Sequence, residues 1–212
     1  CGPACISLSQ DVQGEVFEYP EDFFKERVHV IRRPKPDDYQ IKEAAELIKK
    51  SKKPLIISGG GVFYSDATNE LSSFATEHNV PVTQTVMGYS TMKKDHSHYL
   101  GAIGGLGGRA ANNLSKETDM AIAIGTKLAD FTTGSWTNFE NPNFKLISIN
   151  AARFDANKHM AQAIVGDAKV SLMELSQALG NWKADDNWYE KSRVELKNWE
   201  SYVDKESGPT NQ

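Results

Sequence analysis

The run Pro54-Leu55-Ile56-Ile57-Ser58, followed at once by Gly59-Gly60-Gly61, constrains this chain more than any other stretch. A short Ile-rich segment after a proline has the length of a buried strand, and three glycines allow a turn too tight for residues with a Cβ. Ser65-Asp66 then reads as the cap of an amphipathic helix with Ala67, Leu71, Phe74, Ala75 and His78 on one face. Strand, glycine turn and helix start in that order place backbone N–H groups at the carboxyl edge of a parallel sheet, where a pyrophosphate binds. The match to G-x-G-x-x-G is incomplete, because Tyr64 stands at the last position. The glycines read equally as a device for close strand–helix packing.

The same alternation recurs along the chain. Asp37 with Gln40 forms a capping box for a helix whose Ile41, Ala44, Ala45 and Ile48 make a buried stripe. Its lysine-rich end, Lys49 to Lys53, suits the negative pole of the helix dipole. Val80 to Val86 reads as a strand with Pro81 at its start. Met120 to Ile124, apolar at every position, reads as a central parallel strand, and Leu146 to Asn150 and Ala163 to Val165 as two more. Gly166-Asp167 caps a helix with Ala168, Leu172, Leu175 and Leu179 on one face, closed by Gly180. Counting gives about six strands between Pro34 and Gly180. The expected fold is α/β: a doubly wound, Rossmann-like six-stranded parallel sheet with helices on both faces.

The ends differ from this middle. Residues 1–30 carry a possible strand at Ala4 to Leu8, then Asp11, Gly14, Pro20 and scattered acids that break any pattern. Arg32-Arg33-Pro34-Lys35-Pro36 is a stiff hinge and marks an expected domain boundary. The expected division is 1–30 as the end of a preceding domain and its linker, 31–180 as the α/β domain, and 181–212 as a helical linker. In that last part Asn187 and Glu190 form an expected capping pair, Trp188, Leu196, Trp199 and Val203 make a narrow stripe, and Gly208-Pro209 stops the helix.

A chain of 212 residues, 39% hydrophobic and with net charge −4, has enough apolar material for a core and no basic footprint for nucleic acid. It contains no apolar run long enough to cross a membrane. Cys1 and Cys5 lack partners for a zinc site and read as reduced thiols, so a cytoplasmic location is expected. His96 and His98, beside Asp95, read as part of a solvated loop and not as metal ligands, and His78 reads as a helix-end residue.

Ligands of doubly wound sheets gather at the carboxyl ends of strands. The candidate crevice is therefore Gly59, Gly60, Gly61, Thr85, Met87, Gly101, Gly104, Gly105, Gly107, Gly125, Thr126, Lys127 and Asn150. Gly105 to Ala110 also fits G-x-G-x-x-A ahead of a helix. The long segment Lys127 to Lys145, with Thr132-Thr133-Gly134-Ser135-Trp136, reads as a binding loop or interface wall. The sequence holds no G-x-S-x-G elbow, no P-loop and no close carboxylate cluster, so no catalytic residue and no metal ligand is assigned within it.

Several of these residues, in this order, carry a resemblance. Pro34 with Ile41, Ala44-Ala45 and Leu47-Ile48, then Pro54 to Gly61, Val80-Pro81-Val82, Met87-Gly88, Asp95-His96 with Tyr99-Leu100-Gly101, Asp119, Gly125-Thr126 and Val165-Gly166-Asp167 are similar to the central domain of thiamine-diphosphate-dependent enzymes of the acetolactate synthase and pyruvate oxidase group. The resemblance covers roughly residues 31–180. Gly2 to Val12 likewise resembles the last strand and linker of the pyrimidine-binding domain in that family. The wording at Gly2 to Pro20 and Thr132 to Phe139 is most similar to the branch that opens a cyclic 1,2-dione by hydrolysis in myo-inositol breakdown.

The resemblance implies a central scaffold domain of a C–C bond hydrolase, with thiamine diphosphate and Mg²⁺ held by domains outside these residues. The family's activating glutamate and its G-D-G…N-N motif are both absent here, and Gly166-Asp167-Ala168 lacks the preceding glycine. The piece alone is expected to be inactive. It also implies flanking domains of the same polypeptide as partners and a homo-oligomer, dimer or tetramer, with no nucleic acid and no membrane.

FAD, which some relatives carry, is not expected. Lys127 replaces the usual arginine, Ala129-Asp130-Phe131 replaces Asp-Asp-Arg, and Ser148 and Asn150 replace two acids suited to ribose hydroxyls. Three other readings stand beside this one. They are the central domain of an acetolactate synthase-like enzyme, a freestanding NAD- or FAD-binding oxidoreductase, and an interaction module presenting Trp188 and Trp199.

Overall fold

The computed structural model describes residues 4–208, so the expectations placed on Cys1, Gly2-Pro3 and Pro209 lie outside the described residues. The chain divides into two compact units, Cys1–Arg32 and Arg33–Gln212. In the first, α1 (Gln10–Gln13) is a single turn and Glu21–Phe24 a 3-10 turn, and neither buries a residue. Ala4 to Leu8 has no regular structure there, contrary to the expected strand, because no partner strand pairs with it among the described residues. Phe17, Tyr19, Phe23 and Phe24 cluster with ring centroids 4.9–6.0 Å apart, all solvent-exposed. Cys5 is a free, exposed thiol.

The second unit is built on six parallel strands: β1 (Pro54–Ser58), β2 (Val82–Gln84), β3 (Tyr99–Ala102), β4 (Met120–Ile124), β5 (Lys145–Asn150) and β6 (Gln162–Val165). Their spatial order is β3-β2-β1-β4-β5-β6, the doubly wound arrangement that the alternation implies. The helices are α2 (Asp38–Lys49), α3 (Gly60–Tyr64), α4 (Thr68–His78), α5 (Arg109–Glu117), α6 (Asp130–Thr133), α7 (Arg153–Ala156), α8 (Ala168–Leu179) and α9 (Asp186–Glu206). Among the described residues no helix is long and apolar enough to cross a membrane.

The pleat sends alternate residues to opposite faces. Ile56, Ile122, Ile124, Ile147 and Ile149 meet α2, α4 and α8. Leu55, Ile57, Ala121, Ala123 and Leu146 meet α5 and α9. On the second face β4 offers alanines, and the facing helix answers with Ala110 and Ala111, so helix and sheet approach closely.

Trp188, 4% exposed, belongs to this packing, and its indole N–H donates to the Pro54 carbonyl at 2.8 Å. The helix that carries it therefore packs on this sheet, and a free Trp188 surface for a partner does not exist. Both outer strands are engaged by side chains. Gln40 Oε1 accepts from the Val165 N–H at 2.9 Å on β6, and Arg193 Nη1 donates to the Tyr99 carbonyl at 3.3 Å on β3.

Local expectations differ from the structure at three helix starts and two strands. Ser65-Asp66 caps nothing: α3 ends there, Asp66 has φ 54°, and α4 starts after Ala67 with no side-chain cap. Ser65 instead accepts from Arg33 and from the Lys169 N–H, a use set by tertiary packing. Asp37 does cap α2 through the Tyr39 N–H, whereas Gln40 faces β6 and not the helix start. The start of α9 is capped by Asp185 through the Asn187 N–H, two residues before the expected pair. β2 is only three residues long, and β3 lies in the glycine-dense stretch, where no apolar run marks it.

Candidate functional site

The order of strands reverses between β1 and β4, and there the connections diverge at the carboxyl edge. The glycines of this edge lie against one another's backbone. A β-carbon at Gly59 would sit 2.4 Å from the Gly125 carbonyl oxygen, one at Gly61 would sit 2.6 Å from the Gly125 Cα, and one at Gly60 would sit 2.9 Å from the Met87 carbonyl. Gly88 presses on the Ser58 carbonyl, where a β-carbon would come within 2.1 Å, and Gly104 presses equally on the Phe131 carbonyl.

Most of the backbone donors here are committed within the chain, although the Gly60 N–H at the start of α3 is not. Gly59 N–H donates to Ile124 O at 2.8 Å, Gly61 N–H to Gly125 O at 2.9 Å, and Gly125 N–H to Ile149 O at 2.8 Å. Gly105 N–H donates to Phe131 O at 2.8 Å, Gly107 N–H to Gly104 O at 2.9 Å, and Thr85 N–H to Ser58 O at 2.9 Å. Gly104 N–H goes to Asn112 Oδ1 at 2.9 Å, and the Asn112 amide returns to Gly104 O at 3.0 Å. Thr85 Oγ1 accepts from the Gly88 N–H at 3.0 Å. Any pyrophosphate docking on these amides would displace bonds already made.

Asn150, where an acid would serve ribose hydroxyls, is likewise occupied: its amide donates to Thr126 O at 3.2 Å and its Oδ1 accepts from the Ala152 N–H at 2.9 Å. Lys127 is exposed, and Gly101, at φ +92°, faces open space. Thus the sequence-named residues do converge on one edge, but most of them serve backbone contact.

Exposed apolar side chains also stand at this edge, and of these the sequence reading named only Met87. Phe63, Met87, Tyr89, Leu106, Phe131 and Phe154 are 61–77% exposed, and they come from the connections that follow β1, β2, β3, β4 and β5. The signal was in the sequence: each lies within about seven residues after a strand end.

Titratable groups do not assemble into a catalytic set. Among the described residues no three His, Cys, Asp or Glu side chains could share a metal ion. Asp167, which stands at the G-D of the resemblance, accepts from the Lys169 and Val170 N–H groups and pairs with Arg33 at 3.2 Å. It is therefore a helix cap locked to the Arg33 hinge, and it does not fit a Mg²⁺–diphosphate site.

His78, at the end of α4, is hydrogen-bonded to Trp182 O and Ser176 Oγ, both at 2.8 Å. His98 is not part of a solvated loop as the sequence suggested; it is 6% exposed, stacks on Tyr189 and lies 3.1 Å from Asn79 Oδ1. Burial first, then the positive neighbours His96 and Arg193, hold its pKa down to about 4, so it stays neutral at physiological pH. Away from the edge, a hollow of about 610 Å³ beside the amino ends of β5 and β6 is lined by Trp136, Phe139, Phe144, Leu146 and Met160, and no carboxylate lines it.

Residues 41–175, more than half of the chain, match the sequence profile described as "Thiamine pyrophosphate enzyme, central domain". The chain is 47% identical over 178 residues to the 3D-(3,5/4)-trihydroxycyclohexane-1,2-dione hydrolase of Clostridium perfringens strain 13, covering 84% of this chain and 28% of that protein. It is 40% identical over 204 residues to the protein of the same name from Clostridium tetani, covering 96% of this chain and 32% of that one. For the Bacillus subtilis strain 168 protein of that name the identity is 42% over 184 residues, covering 87% and 29%. The chain thus spans less than a third of the length of these curated relatives. With the six-stranded doubly wound sheet as its frame, this chain belongs to the thiamine pyrophosphate enzymes, in which it corresponds to the central domain.

Proposed function

We propose that the chain is the noncatalytic scaffold of a thiamine-diphosphate- and Mg²⁺-dependent hydrolase that opens the ring of 3D-(3,5/4)-trihydroxycyclohexane-1,2-dione in myo-inositol degradation. The observation that carries this reading is the 47% identity along 84% of the chain to a protein of that name. The geometry supports the scaffold role: most of the amides that a dinucleotide would need bind other parts of the same fold. On this reading the domain stands between cofactor-binding neighbours in the same polypeptide, which the match to a central domain supports. On this reading the whole protein is a cytoplasmic dimer or tetramer, the crevice holds no FAD, and the chemistry belongs to other domains.

The test compares the complete gene product with the 212-residue chain, each supplied with thiamine diphosphate, Mg²⁺ and the cyclic dione. Ring opening by the complete product alone, with no calorimetric binding of the cofactor by the shorter chain, is the expected result. Tight Mg²⁺-dependent cofactor binding by the 212-residue chain, or flavin absorbance in it, would overturn the scaffold assignment.

A further inference from the structure

The hollow beside the amino ends of β5 and β6 lies at the opposite end of the sheet from the glycine edge. Its volume of about 610 Å³ falls within the range of small-molecule pockets, about 300–1,000 Å³. Rings form a continuous wall there. His159 lies 4.5 Å from Trp136, Trp136 lies 5.6 Å from Phe139, and Phe139 stacks on Phe144 at 4.6 Å and 27°. Trp136, Phe139 and Phe144 are each only half-buried, which leaves ring surface for a further ring to cover.

The charge at this wall has one sign. Lys145 is exposed and forms no ion pair among the described residues, and no carboxylate lines the hollow. Acids close in sequence are paired elsewhere, Glu140 with Lys116 at 2.9 Å and Asp155 with Lys158 at 2.6 Å. Asp119, in an adjoining hollow of about 380 Å³ that Lys145 also lines, is bound to Ser51, Lys52 and Lys53. Backbone strain gathers at the same place. Of the eight non-glycine residues at positive φ among the described residues, three line this hollow: Trp136 at 67°, His159 at 59° and Met160 at 53°. Bulky side chains keep that conformation only where their surroundings fix it, and such outliers cluster at ligand sites.

We infer that the hollow binds a planar aromatic anion, with its rings against Trp136, Phe139 and Phe144 and its anionic group on Lys145. Ring contact supplies affinity, and the uncompensated cation selects the charge. A cationic ligand meets Lys145 and no acid, and an aliphatic one forgoes the ring wall, so neither fits as well.

The probe is 1-naphthoate, with 1-naphthamide as its neutral counterpart, titrated into the complete gene product carrying isotope-labelled methionine methyl groups. Met160 lines the hollow and is 100% exposed, so a bound naphthalene ring shifts its NMR signal, which is identified by its loss in Met160→Leu. Met160 is expected to move saturably while Met87 and Met173 stay fixed. By that signal the naphthoate is expected to bind about tenfold more tightly than the amide, and Lys145→Gln to cut the ratio below about threefold. Lys127→Gln, at the carboxyl edge, is expected to keep it.

A second variant, His159→Gly, removes one ring of the wall at a φ that glycine adopts freely, so the fold is kept. Affinity for naphthoate is expected to fall about fivefold, with no loss of melting temperature. An unmoved Met160, equal movement of Met87 or Met173, equal affinity for the two probes, or a ratio untouched by Lys145→Gln each overturns the inference. So does a ratio lowered equally by Lys127→Gln, or an unaltered affinity in His159→Gly. None of these readouts needs turnover, so the inference stands or falls independently of the ring-opening assignment.

Discussion

The two edges of the sheet are held by different chemistry. At the amino edge, side chains do the joining. The Asp119 carboxylate accepts from Ser51 Oγ at 2.5 Å and from the Lys52 and Lys53 N–H groups at 2.9 and 3.0 Å. Glu117 bridges Lys53 and Lys191, Asn79 binds Asp186, and His98 lies between Asn79 and Tyr189. At the carboxyl edge, backbone touches backbone through glycines, and side chains point outward. One edge is joined by side chains that include a buried histidine; the other leaves no room for an added atom at Gly59, Gly61, Gly88 or Gly125.

The sharpest break of this contrast is Gly88→Ala. Its methyl group would enter the Ser58 carbonyl, which is backbone and cannot rotate away, so a loss above about 4 kcal/mol in urea unfolding is expected. Gly101→Ala, at φ +92° with no atom within 4 Å, costs only its strained backbone, about 1–2 kcal/mol. Equal losses at the two positions would show that the carboxyl edge is not sterically closed.

Next in size is the pH dependence of the amino edge. His98 has its folded pKa depressed to about 4, below the ordinary value of 6.5. The unfolded chain therefore binds more protons between those values, and the stabilising contribution is complete above pH 6.5 and lost as pH falls toward 4. The loss approaches about 3 kcal/mol. His98→Gln, which keeps a donor toward Asn79, is expected to flatten that part of the stability profile. An unchanged profile would remove His98 as its source.

A smaller effect is expected at the amino edge from Asp119→Ala, which strips one acceptor from three donors at a half-exposed site. Water replaces part of what is lost, so about 2 kcal/mol is expected by the same unfolding measurement. A loss as large as that of Gly88→Ala would erase the distinction between the edges.

The carboxyl edge was the more legible of the two. An apolar run ending in glycine is local information, and Pro54 to Gly61, Met120 to Gly125 and Gly166-Asp167 each announce an element and its end within a few residues. What the glycines do was not legible, since Gly61 against Gly125 is a contact between residues 64 positions apart. The amino-edge network was hidden for the same reason: nothing near Asp119 says that Lys52, 67 residues away, will donate to it. Local rules failed where packing overrode them, as at Ser65, which is drawn into the Arg33 and Lys169 contacts, and at Gln40, which leaves its helix start for a neighbouring strand. Apart from Met87, the exposed apolar side chains of the carboxyl edge were passed over because single exposed hydrophobics are ordinary.

Gln40 has a consequence of its own. Open sheets invite recruitment: a stray β-segment from a damaged copy can add itself along an unpaired margin and begin an aggregate. Here the polypeptide meets that threat with its own amide on β6 and a guanidinium on β3, so the docking points at Val165 and Tyr99 are taken before a foreign strand arrives. The sheet stops at six strands with a side chain already bonded at each of its margins.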